Sequence, residues 1–220
     1  MTVADGLKEI QGRIAEACRR AGRDPASVEL IAVSKLQPEP LIREAYAAGH
    51  RTFGENYAQE LRDKFDHLSD LSGMRWHFIG PLQTNKAKYV ARSAAVFHAV
   101  DRLEIAQELS KRRTGGPLDV LIQVWSKEAT KSGAAPEEVP ALVEQVRALP
   151  QLRVVGLMAM PPLEENPERA RPHFRAVREL AAKVGLSQLS MGTTSDFEVA
   201  IEEGATMVRV GTAIFGERPK

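Results

Sequence analysis

The sequence has very little cysteine: Cys18 stands alone among 220 residues, so no disulfide can form within the chain. A reducing compartment suits that composition. Long hydrophobic runs are also missing, and nothing approaches the ~18 consecutive apolar residues that cross a bilayer. The opening MTVADGLKEIQGRIAEACRR has no basic start leading into an apolar run, which is not the form of a signal peptide. Neither sign of charge dominates, with 30 Lys and Arg against 29 Asp and Glu, a formal net charge of +1. That balance removes the global electrostatic case for nucleic acid or an anionic membrane as partner. Histidines 50, 67, 77, 98 and 173 make no HExxH or other ligand-pair spacing, so no metal is expected. The GxSxG elbow and the GxxxxGK[ST] loop are absent too. The expectation is a soluble cytoplasmic protein.

What is present is an ordinary globular composition, 43% apolar and 27% charged, in a chain long enough to bury a substantial core. Apolar periodicity switches repeatedly between strand and helix. Helices are expected over 4–21, 39–48, 59–68, 86–92, 102–113, 136–149, 167–184 and 196–203. Strands are expected over 28–34, a short segment ending at 54, 75–79, 95–99, 118–124, 152–157, 188–190 and 206–210. Such alternation argues a parallel sheet, because parallel neighbours need crossover helices. Eight units in this length fit a single compact (β/α)8 TIM barrel over 1–220, with an extra N-terminal helix. A doubly wound open sheet is the alternative. In the N-terminal helix Cys18 continues the spacing of Leu7, Ile10 and Ile14, so it reads as a packed small hydrophobe.

Barrels work at the carboxyl ends of their strands, and those ends hold the polar candidates. Lys35 closes the run IAVSK and would stand at the mouth. An amine held in partly apolar surroundings has its charged form disfavoured, which frees a lone pair for a carbonyl; the bland alternative is a lysine that reaches water. The segment LSMGTTSDFEVAIEEG reads as strand, glycine turn and helix, with Ser195 and Glu198 at capping-box spacing. Gly192 would let backbone approach a ligand, and Thr193 and Thr194 offer hydroxyls beside free amides, which suits phosphate. VRVGTAIFG at 208–216 would hold a phosphate in the same way through Gly211 and Thr212. Arg209 there could neutralise phosphate or meet a ring nitrogen, or form a structural ion pair. His98 reads as a satisfied core histidine, and His77 as a residue orienting its neighbouring loop.

Taken in order, VSK at 33–35, FGENYAQE at 53–60, WHFIGPLQTNK at 76–86, KSG at 131–133, GLMAM at 156–160, LSMG at 189–192 and VRVGTAIFG at 208–216 span the chain. This set resembles the pyridoxal phosphate homeostasis proteins, single-domain relatives of the alanine racemase N-terminal barrel. The resemblance implies that Lys35 holds pyridoxal 5′-phosphate as an aldimine and that Thr194 takes the place of a phosphate-binding serine. Gly211 and Thr212 would add phosphate contacts, with Gly192 among the cofactor-binding residues. Asn56, His77, Asn85 and Met191 would surround the cofactor, and Arg209 would lie near its ring nitrogen or phosphate. Two departures stand out. Trp125 replaces the family's usual asparagine after the fifth strand and would stack on the ring or crowd it, and the loop after it is one residue shorter. The family's MGMS is here Met191-Gly192-Thr193-Thr194, which keeps the hydroxyl.

The implied function is control of intracellular vitamin B6 supply without robust turnover. The partners implied are the cofactor and the pyridoxal phosphate-dependent apoenzymes that use it, with the protein a monomer or weak dimer. A pyridoxal phosphate-dependent amino-acid racemase or lyase is the alternative. A two-base racemase needs a second acid–base group opposite the lysine. In alanine racemase the resemblance assigns that group to a tyrosine from an added β-domain, which is not expected in a chain that reads to Lys220. Tyr46, Tyr57 and Tyr89 all fall in expected helical stretches. A phosphosugar-type barrel enzyme with Lys35 as its Schiff-base lysine is a third reading, and it needs no bound chromophore.

Overall fold

The computed structural model describes residues 2–125, 132–162 and 165–217. Eight parallel strands close in sequence order: β1 (Glu29–Val33), β2 (Thr52–Glu55), β3 (Arg75–Phe78), β4 (Val96–Val100), β5 (Leu118–Val124), β6 (Leu152–Ala159), β7 (Gln188–Ser190) and β8 (Met207–Val210). β1 pairs with β2 on one side and β8 on the other, Glu29 opposite Met207 through Ala32 opposite Val210. The sheet is therefore a barrel, and the open-sheet alternative is excluded.

Seven helices follow the first seven strands: α2 (Glu39–Ala47), α3 (Ala58–His67), α4 (Ala87–Ser93), α5 (Leu103–Arg112), α6 (Val139–Arg147), α7 (Arg171–Lys183) and α8 (Phe197–Glu202). Among the described residues, β8 is followed by the single turn α9 (Thr212–Phe215), too short to cover a strand. The N-terminal helix α1 (Val3–Arg20) takes the vacant place, packing against α2, α8 and α9. Its buried stripe of Val3, Leu7, Ile10, Ile14, Ala17 and Cys18 has the spacing of one helix face. Each large aliphatic there contributes about 1.5–3 kcal/mol on burial. Thr2 and Asp5 close a reciprocal capping box at its start. Gly6 brings α1 against α9: a Cβ there would fall 2.8 Å from the Ala213 carbonyl oxygen. Burial pushes the Cys18 thiol up, away from reactivity. No helix among the described residues is long and apolar enough to cross a membrane.

Strand alternation divides the side chains into two sets. Phe53, Trp76, Phe78 and Phe97 turn outward beneath the helices, with Phe53 and Trp76 rings 5.6 Å apart and Phe78 and Phe97 rings 5.7 Å apart. The opposite parity, Ile31, Val33, Gly54, His77, His98 and Arg209, turns into the barrel. That parity, carried one step beyond the strand ends, builds the site.

Candidate functional site

Lys35 lies two residues past the end of β1 and keeps the inward parity of Ile31 and Val33, while Ser34 turns outward. Asn56 follows β2 with the inward parity of Gly54, and Glu55 turns outward. Gly80 allows the ends of β2 and β3 to meet, since a Cβ there would lie 2.2 Å from the Asn56 carbonyl oxygen. The inward residues line a cavity of about 150 Å³ at the carboxyl end of the barrel, where Lys35, Asn56, Thr193, Thr194, Arg209, Gly211 and Thr212 converge over Val33, Ile79 and Met160. Asn56 Oδ1 is buried and has no hydrogen-bond partner among the described residues.

Arg209 is the electrostatic centre of the cavity. It is 4% exposed. Its guanidinium donates to Ser190 Oγ at 2.6 Å and to the Ala159 carbonyl oxygen at 2.9 Å. No carboxylate forms a salt bridge with it among the described residues, so the structural ion pair considered for it is absent. Burial lowers its pKa to about 10, opposed by attraction from Asp196, and it stays a cation at neutral pH. Beneath it runs a neutral relay. Ser190 Oγ lies 2.9 Å from His98 Nδ1, and His98 Nε2 lies 2.9 Å from His77 Nδ1. Ser190 Oγ thus accepts from Arg209 and shares a proton with His98, which shares another with His77, the direction along the chain being set by the histidine tautomers. Burial holds His77 down at about 3 and His98 well below the ordinary histidine value. Arg209 is thus a single positive charge above two uncharged rings. An uncompensated buried cation costs several kcal/mol, which an anionic or strongly accepting ligand would offset.

The two loops beside Arg209 supply donors. Gly192, at φ +89°, packs so closely on α8 that a Cβ would lie 2.7 Å from Phe197 Cα. The turn after it differs from the expected capping box. Asp196, not Ser195, precedes the helix, and its carboxylate reaches back to accept from Thr193 N at 2.6 Å and Thr193 Oγ1 at 3.0 Å. Glu198 is drawn away to Arg13, 3.1 Å distant. Asp196 thus closes the turn onto Thr193 three residues before it, and Glu198 is left facing α1. Among the described residues, the Thr194 and Ser195 amides make no hydrogen bond, Thr194 lining the cavity and Ser195 exposed beside it in sequence.

The alanine racemase N-terminal domain family matches residues 7–219 of this chain. A pyridoxal phosphate homeostasis protein of Pseudomonas aeruginosa is 53% identical over 224 residues, covering 99% of this chain and 96% of that protein. The chain belongs to the pyridoxal phosphate homeostasis protein family. Another member, from Aquifex aeolicus, is 46% identical across 99% of both chains. PipY of Synechococcus elongatus, solved with PLP bound, is similar at a TM-score of 0.86 and 36% identity, over 98% of this chain and 100% of that one.

Within this family member the expected site residues fall into two groups. Lys35, Asn56, Thr194, Arg209, Gly211 and Thr212 meet at the cavity. His77 lies below it in the relay, and Met191 and Gly192 lie behind the turn, buried. Asn85 sits exposed in the short 3-10 turn Thr84–Lys86, away from the cavity wall. Thr193, Met160, Val33 and Ile79 line the cavity without having been singled out as cofactor contacts, although the first belongs to the turn already suspected. Trp125 lines a neighbouring groove of about 540 Å³, which shares Met160 with the Lys35 cavity, and is not itself on the wall of that cavity. The shortened loop at 126–131, with Lys131 of the KSG motif, lies outside the described residues. Tyr57 is not helical; it precedes α3 and is 51% exposed.

Proposed function

We propose that residues 1–220 act as one barrel domain that holds pyridoxal 5′-phosphate on Lys35 and serves intracellular vitamin B6 homeostasis, as a binder without robust catalytic turnover. The observation that carries this reading is Arg209, a buried cation with no carboxylate partner among the described residues, on the wall that also presents the Lys35 amine. A phosphorylated, electron-poor aldehyde matches both demands. The cofactor supplies the aldehyde, which condenses with Lys35 Nζ to form a C=N link with loss of one water.

In this reading Thr194, Gly211 and Thr212 hold the phosphate together with the free Thr194 and Ser195 amides, and Gly192 sets their turn. Arg209 donates to the ring nitrogen or the phosphate. Asn56 offers its unpaired Oδ1, His77 acts through the relay below Arg209, Met191 packs behind the turn and Asn85 would act from outside the cavity wall. The names of the relatives and the PLP bound in PipY support the cofactor. The same reading carries a cytoplasmic location, pyridoxal phosphate-dependent apoenzymes as recipients, and a monomer or weak dimer as the working state.

Racemase chemistry needs a second acid–base group facing the lysine. Among the described residues, the cavity wall holds no tyrosine, histidine, cysteine or carboxylate, and that supports the binder over the enzyme. The test is an absorption titration with pyridoxal 5′-phosphate followed by an amino-acid racemase assay. The reading expects a long-wavelength band that Lys35→Ala abolishes, and negligible racemisation. A band that survives Lys35→Ala, or turnover at the rate of a dedicated racemase, would overturn it.

A further inference from the structure

The FGENYAQE segment contributes only Asn56 to the cavity, yet its two glutamates converge on the backbone around Lys35 from the outside of the barrel. Lys64, on α3, is the hub, with a side chain 7% exposed. Its ammonium donates to the Ser34 carbonyl oxygen at 2.7 Å, to Glu55 Oε1 at 2.8 Å and to Glu60 Oε1 at 2.7 Å, which uses all three of its protons. Ser34 Oγ donates to the same Glu55 oxygen at 2.6 Å. On the far side of Lys35, the Leu36 amide donates to Glu60 Oε1 at 2.7 Å. Residues 34 and 36 are therefore both tied to one ion cluster, and Lys35 is the residue between them.

The need for such an anchor is visible in Leu36. Its φ is +60°, a left-handed conformation that leucine avoids, and its side chain is too exposed for packing to enforce it. Two hydrogen bonds hold it there: the Gln37 amide closes a turn onto the Ser34 carbonyl oxygen at 3.0 Å, and the Leu36 amide itself is held by Glu60. Without the Glu60 bond the chain after β1 would relax toward ordinary backbone angles and swing the Lys35 side chain off its inward line.

We infer that Glu60 and Lys64, with Glu55 beneath them, are positioning residues that aim Lys35 into the cavity by clamping the backbone on both sides of it. This inference rests on the reading of Lys35 as the attachment residue. The clamp touches neither the cavity nor a ligand; its effect passes through Ser34 and Leu36.

The test compares the full-length protein with Glu60→Ala, Glu60→Gln and Lys64→Met at a temperature where circular dichroism shows each folded. The readouts are the rate at which the Lys35-linked absorption band appears on mixing with pyridoxal 5′-phosphate, and the equilibrium affinity. Glu60→Ala is expected to slow attachment and weaken affinity by about 10-fold, the scale of one hydrogen bond to a charged group. Glu60→Gln keeps a carbonyl acceptor for the Leu36 amide and should recover most of the loss, whereas Lys64→Met should be at least as severe as Glu60→Ala. Should Lys64→Met not fold, the half-buried Glu60 still decides the matter. A folded Glu60→Ala protein that attaches the cofactor as fast and as tightly as the unaltered one would overturn the inference while leaving Lys35 as the attachment site. An unaltered protein that forms no Lys35 link would overturn the binding reading and this inference together.

Discussion

Two buried cations stand at the same end of this barrel, and their surroundings differ in kind. Lys64 faces outward between the sheet and α3, and it meets Glu55, Glu60 and a backbone carbonyl. Arg209 faces inward and meets a hydroxyl and a carbonyl, with two neutral histidines beyond. A buried charge whose opposite charges come from the protein belongs to the scaffold. One whose counter-charge is missing marks where a ligand completes the electrostatics. The barrel wall separates the two by one residue of strand parity, Ser34 and Glu55 out, Lys35 and Asn56 in.

The largest expected effect breaks the balanced side. Lys64→Met leaves the buried Glu55 and the half-buried Glu60 without their cation and should cost about 3–5 kcal/mol of stability in the cofactor-free protein, measured by denaturant unfolding. Arg209→Met should do the reverse. It removes an uncompensated charge, so cofactor-free stability should move by no more than about 1 kcal/mol, while pyridoxal 5′-phosphate binding weakens by about 2–5 kcal/mol in a titration. If Arg209→Met destabilised as much as Lys64→Met without touching affinity, the contrast would be void. Thr194→Ala sharpens the same side on a smaller scale, with about 1–3 kcal/mol of affinity lost as one hydrogen bond to the phosphate disappears. Unchanged affinity would remove Thr194 from the phosphate contacts.

The smallest effect is in pH dependence. Burial is the main cause that raises the Glu55 carboxyl from 4.5 to about 7, against the attraction of Lys64. The folded state therefore holds a proton that the unfolded state has released, and this contribution, full below pH 4.5, is lost as pH rises through 7. His77 runs the other way: lowered by burial from 6.5 to about 3, its contribution is full above 6.5 and lost as pH falls toward 3. Thermal unfolding of the cofactor-free protein should show both limbs. Glu55→Gln should flatten the decline between about pH 5 and 8 while leaving the acid limb intact. An unchanged alkaline decline would show that Glu55 does not titrate in that range.

Much of the fold was legible because its signals are local. Each strand carries its own apolar run and each helix its own period, whereas closure rests on the pairing of β1 with β8, which the number of alternating units did not decide. Lys35, the turn at 192–195 and the loop at 209–212 were legible for a related reason, since strand ends in such barrels face a common mouth. What sequence reading missed depends on distant partners. Glu60 and Lys64 have the spacing of an ordinary solvated helix pair, and only the docking of α3 under Ser34 turns them into a clamp. His77 and His98 meet across neighbouring strands, so no sequence spacing announces the relay. The capping box at Ser195 failed because the helix begins one residue later, after Asp196, and Glu198 is held by Arg13 from a distant helix. The covering of β8 by α1 joins the two ends of the chain, and the expected extra N-terminal helix was its sequence trace, without the place it would take.

The central claim is that the inward lysine beside the uncompensated arginine carries the cofactor. Borohydride reduction of the protein incubated with pyridoxal 5′-phosphate, followed by peptide mass mapping, tests it directly. The account predicts that the reduced cofactor is found on the peptide containing Lys35, and that Lys35→Ala removes it. A label on another lysine with Lys35 unmodified would contradict the account.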